Sequence, residues 1–336
     1  MFTRLSIIIV TYDGDALLEN CLTSIQAACP VMPQIVVVDN FGSDDTKRLV
    51  SHFSETCYVR AETNIGFAGG NNLGLPFCKG DYVLLLNNDT LIHQEPFSYL
   101  MRYLDEHPHV AVVQGKALLA NSGGLLDGCG SYLTWAGLTL ANGFVVPDAP
   151  EYQKAFPVFY AGGMCLMFRR SIIEQVGGYL FYDHFKSYFE EVDFCHRVWI
   201  CGSDVHFVPS PAIEHLHSQT ANRFSRISIL RQYYTNIWFS HLTCLDLYGR
   251  IRILPAFSAF FVGHAFIHLL MGHWKCFWAH LECLRSLCSL REDIRATRKL
   301  IHSFRRRPER EIFQMVLRSP PLSFYWNVIV INIRNT

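Results

Sequence analysis

Polar residues with chemical potential recur at fixed places in this 336-residue chain. Thr11-Tyr12-Asp13-Gly14-Asp15, Asp39-Asn40-Phe41-Gly42-Ser43 and Asn87-Asn88-Asp89-Thr90 each follow an apolar run, and residues Asn64 to Gly74 form a glycine-rich segment. Taken singly, each suits a helix cap or a turn. Taken together they supply the oxygen donors of one polar crevice. The glycine segment has neither GxGxxG spacing nor a GK[ST] ending, so it supports neither a dinucleotide site nor a P-loop. Further on, Glu190-Glu191-Val192-Asp193 sits beside Tyr182, Tyr188 and Phe189. Partial desolvation and mutual repulsion raise the pKa of such carboxyls and suit them to proton transfer. The plainer reading is an acidic first helical turn favoured by the helix dipole. His215 and His217, two residues apart, share one face of an extended chain.

The elements that must position these groups read as a βαβ series. Leu5–Val10, Gln34–Asp39 and Tyr82–Leu86 are strands buried on both faces. Ala16–Ala28 carries Leu17, Leu18, Cys21, Leu22 and Ile25 at helical spacing. A short helix around Thr46–Phe53 follows the capping residues Ser43-Asp44-Asp45, and the glycine segment is expected to be a turn that opens another helix. Alternating strands and helices give an α/β fold with a mainly parallel sheet, whose ligands bind beyond the carboxyl ends of the strands.

Composition removes several classes. Lys+Arg and Asp+Glu number 29 each and half the residues are hydrophobic, so neither disorder nor a globally basic nucleic-acid binder fits. No nucleic-acid partner is expected. Twelve cysteines without a CxxC pair point to a reducing compartment. The apolar run after Met1 is too short for a signal peptide, which leaves the cytosol or the cytoplasmic face of a membrane.

In order and spacing over residues 5–240, the motifs resemble the family 2 glycosyltransferases of the GT-A fold, in particular the rhamnosyltransferase-like branch. The pieces are Ser6–Tyr12, Val38-Asp39-Asn40-x-x-Ser43-Asp44, Asn64-x-Gly66-Phe67-Ala68-x-Gly70-Asn71-Asn72-x-Gly74 and Leu84–Thr90. Ala161–Met164, Phe189–Arg197, Gly202, Pro209 and His215 follow. The resemblance implies an inverting transfer of a sugar from a nucleotide-diphosphate donor to a lipid-linked or cell-envelope glycan. It implies that Thr11, Tyr12, Asp13, Asp39, Asn40, Asn64, Gly66, Asn72 and Asn88 bind the nucleotide sugar. Asp89 occupies the metal place, a hard oxygen ligand for Mg²⁺ or Mn²⁺. His215 is the second metal candidate, with His217 the next choice. The family often has Asp-x-Asp where this chain has Asn87-Asn88-Asp89. Among the catalytic candidates Glu191, Asp193 and Glu190, Glu191 fills the base position that is usually Asp, and Asp193 is spaced to pair with Arg197.

The last third differs in kind. Residues 1–240 read as the catalytic domain and 241–336 as a helical, membrane-associating region. Ile253–Trp274 contains no Asp, Glu, Lys or Arg, which approaches the ~20 residues of a bilayer span. His264 and His268 fit zinc spacing, yet without a third ligand they read as the polar stripe of an apolar helix. Trp274, Trp278 and Arg285 suit a headgroup interface. Arg291, Arg295, Arg298, Lys299 and Arg305-Arg306-Arg307 form a cationic cluster attractive to anionic lipid. Helices lying in the interface are favoured over a span. The soluble alternative is a hairpin packed on the catalytic domain or against a homodimer partner. Two other functions compete: a catalytically weak nucleotide-sugar or glycan-binding module, and a nicotinamide-dependent enzyme.

Overall fold

Leu5, Ile7 and Ile9 point to one side of the first strand and Ser6 and Ile8 to the other, and all are buried. That double burial sets the architecture. A computed structural model describes residues 4–12, 15–42, 44–216 and 226–334. The first half contains β1 (Leu5–Thr11), α1 (Asp15–Ala28), β2 (Gln34–Asp39), α2 (Asp44–Val50), β3 (Thr56–Arg60), α3 (Gly66–Gly74), β4 (Tyr82–Leu86), β5 (Thr90–Ile92), α4 (Phe97–Glu106) and β6 (Val110–Leu119). Short strands β7 (Leu125–Asp127), β8 (Ser131–Thr134), β9 (Thr139–Ala141), β10 (Phe144–Pro147) and β11 (Phe156–Pro157) follow. Then come β12 (Cys165–Arg169), α5 (Ile172–Gln175), α6 (Glu190–Ile200) and β13 (Asp204–His215). The remainder is α7 (Arg226–Cys244), α8 (Leu247–Leu270), α9 (Trp274–Ser289), α10 (Arg291–Ser303), α11 (Glu309–Val316), β14 (Leu317–Arg318) and α12 (Leu322–Arg334).

The main sheet runs β10-β7-β6-β12-β4-β1-β2-β3, with β13 alongside β6. Pairings β3–β2, β2–β1, β1–β4 and β6–β13 are parallel, and β12 is inserted antiparallel between β4 and β6. One apolar layer packs α1 and α4 on the face carrying Ile7, Ile9, Ile35 and Leu84. The other face carries Ile8, Val36, Val83 and Leu85 and is continuous with α6 and the C-terminal helices. The expected strands form. The helix expected around Thr46–Phe53 instead spans Asp44–Val50, and Ser43 lies outside the described residues.

The glycine segment corrects the expectation of a turn, because Gly66–Gly74 is itself a helix. Glycine is a poor helix former, but packing overrides propensity here. At Gly66, with φ +78°, a Cβ would run into the backbone of Lys186. The division expected at residue 240 falls inside α7. The C-terminal helices pack onto the sheet domain through α11. Buried Glu309 meets His196 of α6 at 3.1 Å and Arg305 at 3.1 Å, and its N–H donates to Asp246.

Candidate active site

A cleft of about 960 Å³ opens at the carboxyl ends of β1, β2 and β4, where a largely parallel sheet places its ligands. Thr11, Tyr12, Asn40, Asn64, Gly66, Asn88, Asp89, Glu190, Glu191 and His215 all line it. Asn88 donates to Thr11 Oγ1 at 3.1 Å, joining the ends of β4 and β1. Asn40 braces β2 to the start of α3. Its Nδ2 donates to Asn64 Oδ1 and Gly66 O, and its Oδ1 accepts from Ile65 N–H at 2.9 Å.

Three expected site residues stand apart from the cleft lining. Asp39 is fully buried, accepting from Gly42 N–H at 2.6 Å and from the Tyr58 hydroxyl at 2.6 Å. Asn72 faces the 181–183 segment, exchanging hydrogen bonds with the backbone of Phe181 at 2.8 and 3.0 Å. Its amide braces a loop and is not part of the cleft lining. Asp193, expected among the catalytic carboxylates, is buried and held by Arg197 at 2.9 Å. Arg197 also donates to the carbonyls of Val176, Tyr179 and Leu180, so the pair fastens α6 to that loop. Asp13 and His217 lie outside the described residues.

One end of the cleft gathers charge. Strand β13 pairs antiparallel with β5, His215 opposite Thr90, and so carries the imidazole to the end of β4. His215 Nε2 lies 3.1 Å from Asp89 Oδ1 and 3.2 Å from the Asn87 amide. Its Nδ1 lies 2.5 Å from Asp127 Oδ2. Burial alone would lower the imidazole pKa, but the bonds to Asp127 and Asp89 outweigh it and raise the value to about 9. Asp89 offers an oxygen donor, and His215 would offer Nε2 beside it once a cation displaced the proton that the two now share, a donor set that fits a divalent cation.

The other wall is built by α6. Tyr188 and Phe189 both have positive φ, +72° and +76°, a conformation uncommon for bulky residues. Asn236 of α7 donates to Tyr188 O at 2.6 Å and to Ser187 O at 3.2 Å, which holds the strained turn. Glu190 and Glu191 open the helix directly after it. Burial raises the Glu191 carboxyl pKa, and N–H groups of Glu191 and Gly163 draw it partway back. Burial and the neighbouring Glu191 push Glu190 further up. At Gly163 a Cβ would collide with the Glu191 carboxylate, so glycine is what permits this approach.

Several lining residues escaped the sequence reading: Asp127, Gln114, Tyr160, Lys186, Arg231 and Tyr233. Gln114 donates to Gly128 O and accepts from Gly162 N–H, tying the two loops that flank the cleft. None of these residues lies in a local motif; each arrives by long-range strand or helix packing.

The sheet order, the antiparallel β12 and the cleft beyond β1, β2 and β4 make this a GT-A fold. Mannosyltransferase PcManGT from Pyrobaculum calidifontis, solved with GDP-Man and Mn²⁺, aligns with TM-score 0.55 over 86% of this chain and 76% of that one, at 16% identity. S. aureus TarS 1-349 aligns with TM-score 0.57 over 90% of this chain and 91% of that one, at 18% identity. The sequence profile described as "Glycosyl transferase family 2" matches residues 6–177, just over half of the chain, and the chain belongs to that family. The low-salt glycan biosynthesis hexosyltransferase Agl10 of Haloferax volcanii is 30% identical over 202 residues. Those residues cover 59% of this chain and 62% of that enzyme, so the chain spans less than two thirds of this relative.

Proposed function

We propose that this protein is an inverting glycosyltransferase that moves a sugar from a nucleotide-diphosphate donor to a lipid-linked or cell-envelope glycan. The observation that carries the reading is one cleft with Asp89 and His215 at one end and Glu191, its carboxyl pKa raised, on the wall opened by α6. Thr11, Tyr12, Asn64 and Asn88 line the nucleotide end. Glu191 accepts the acceptor hydroxyl proton. The acceptor oxygen then bonds to the anomeric carbon from the face opposite the diphosphate. The bond from that carbon to the phosphate oxygen breaks, and its electron pair leaves on the nucleotide diphosphate. A raised carboxyl pKa brings the base closer to the working pH and improves its efficiency. The residues that would hold a Mg²⁺ or Mn²⁺ ion are Asp89 and His215; such an ion offsets charge on the leaving diphosphate when bound. The GDP-Man and Mn²⁺ in the Pyrobaculum complex support this reading.

Residues 1–240 are the catalytic unit in this reading and 241–336 a membrane-seating module, with α7 common to both. Helix α8 is long and apolar enough to cross a bilayer by length and composition. Its stripe Ile253, Phe257, Phe261, His264 and His268 is buried against neighbouring helices, while Ile251, Val262, Phe266 and Leu270 are exposed. Exposed Met271, Trp274, Trp278, Leu281 and Leu284 continue the apolar surface into α9. A helix packed along one side suits lying in the interface better than spanning it. The cytoplasmic face of a membrane is the proposed location.

The cationic cluster makes a smaller contribution than its sequence suggests. Arg298 donates to the carbonyls of Leu242 and Leu245, and Arg305 to that of Cys244. These are orphan carbonyls at the end of α7, which need donors. Arg307 pairs with Asp204 at 2.8 Å. Arg291, Arg295, Lys299 and Arg306 remain exposed. Apolar area therefore carries the attachment. Release of free nucleotide diphosphate from UDP-, dTDP- or GDP-sugars, dependent on acceptor and Mn²⁺, tests the activity; binding of donor without any turnover would favour the weak binding module.

A further inference from the structure

We propose that Asp127 is a positioning residue that acts on the metal end of the cleft through His215. The inference rests on the reading of Asp89 and His215 as metal ligands and adds a residue that no motif marks. Asp127 ends β7 and is buried. Strand β6 carries both partners: Leu118 pairs with Leu126 of β7 on one edge and with Glu214 of β13 on the other. Asp127 and His215, one residue further on, lie on the opposite face from Leu126 and Glu214 and flank β6 from its two edges, and their side chains meet there at 2.5 Å from Nδ1 to Oδ2. The segment after Asp127 is locked in place. Gly128 O accepts from Gln114 at 3.0 Å, and Cys129 N–H donates to Asn142 O at 2.7 Å.

The chemistry follows from the two ring nitrogens. An imidazole whose Nδ1–H donates to a carboxylate has its orientation fixed and presents Nε2 outward as the ligand atom, with raised basicity. Here Nε2 is the nitrogen on the Asp89 side, 3.1 Å from Oδ1, where a bound cation would take the place of its proton. This chain has Asn87 where its family often has a first metal-site Asp, leaving one anionic ligand, Asp89, beside a neutral donor. Asp127 returns the missing negative charge from one residue further out, without touching the ion. In this reading Asp127 offsets the absence of a carboxylate at position 87.

The experiment is Mn²⁺ titration of the purified full chain followed by the EPR signal of free Mn²⁺, with no donor present. The near-isosteric Asp127→Asn is expected to weaken Mn²⁺ binding by roughly 10- to 100-fold, the usual effect of losing such an outer carboxylate. Because the Asp127 contact raises the His215 pKa, its loss should lower the metal-free melting temperature at neutral pH, so affinities are compared well below both melting points. In a His215→Ala background the same substitution should change the remaining affinity little, because the effect passes through the ring. Unchanged affinity in Asp127→Asn, or an equal further loss in the His215→Ala background, overturns the proposal while leaving the metal reading intact. A parent protein that binds no Mn²⁺ overturns the metal reading itself and this proposal with it.

Discussion

The sheet domain and the C-terminal helices differ in where their histidines and large apolar side chains lie. Between the sheet and its helices lie Ile, Val, Leu and Phe, and the polar groups collect at strand ends around the cleft. In α8 and α9 the polar residues turn inward: His264 meets the Tyr234 hydroxyl at 2.6 Å and His280 at 3.3 Å, and His268 is fully buried. The large apolar residues Val262, Phe266, Leu270, Trp274 and Trp278 face out. A water-facing surface of that size ordinarily marks an interaction site. Histidines buried beside Phe257 and Phe261, with large apolar residues outside, are what an interface with hydrocarbon would favour. One helix joins the two regimes: α7 supplies Gln232 and Tyr233 to the cleft and its other face to α9. An acceptor anchored in lipid would therefore arrive beside the wall that holds Glu191.

If this division is right, substitutions in the two regions should separate cleanly. The largest effect belongs to the cleft. Asp89→Ala should reduce transfer to background with Mn²⁺ present while thermal melting of the metal-free protein is retained. Activity within a few-fold of the parent would remove Asp89 from the metal site. Next is Glu191→Gln, which keeps shape and loses the proton acceptor; transfer should fall by roughly 10²- to 10⁴-fold. Donor binding, measured by calorimetry, should survive. A normal rate in Glu191→Gln with a dead Glu190→Gln would move the base by one position. Because burial raises the Glu191 pKa, the transfer rate should fall with decreasing pH at values above the ordinary carboxylate range.

Acid should loosen the helical layer in a different way. Burial lowers the pKa of His264 from 6.5 to about 3 and of His268 and His241 to about 4. Below pH 6.5 the unfolded chain takes up protons that the folded chain refuses, so stability present above that pH is lost as pH falls. Hydrogen exchange should show α8 and α9 amides losing protection between about pH 6.5 and 4, before those of β1 and β4. Simultaneous loss in both regions would mean that the histidines do not set the stability of the layer.

How much of this was written locally in the chain also differs between the regions. β1, β2 and β4 were legible because β-branched runs buried on both faces have few other solutions, and Asp89 and His215 because the family spacing points to them. Asp127 was not, since its contact with His215 exists only once β6 pairs with two different strands. The glycine segment read as a turn because propensity is local, whereas the close approach of Gly66 to Lys186 is not. Arg298 and Arg305 looked like membrane-facing cations since sequence shows charge but not the carbonyls that consume it. His264 and His268 were legible as a stripe, but the direction in which it faces depends on α7 and α9.

The smallest effects concern the proposed attachment, and they decide which force would hold the helical layer to lipid. Fully burying one large apolar side chain contributes about 1.5–3 kcal/mol, and each cation near an anionic surface about 1 kcal/mol. Phe266, Trp274 and Trp278 are each more than half exposed, so the triple change to Ser should weaken vesicle partitioning by well over about 10-fold. Transfer to a water-soluble acceptor should remain near the parent rate, because none of the three lines the cleft. With Arg298, Arg305 and Arg307 engaged by carbonyls and Asp204, the exposed cations Arg291, Arg295, Lys299 and Arg306 are what remains of the cluster for lipid. Arg291 and Arg295 both pair with Glu292, at 3.4 and 3.0 Å. Replacing Lys299 and Arg306 by Gln should lower binding to anionic vesicles by no more than roughly 30-fold, and leave binding to neutral vesicles unchanged. Sedimentation with vesicles of each kind, at low and high salt, measures both numbers. A double-Gln variant that loses all vesicle binding while the triple Ser variant keeps it would reverse the order of forces and return the attachment to electrostatics.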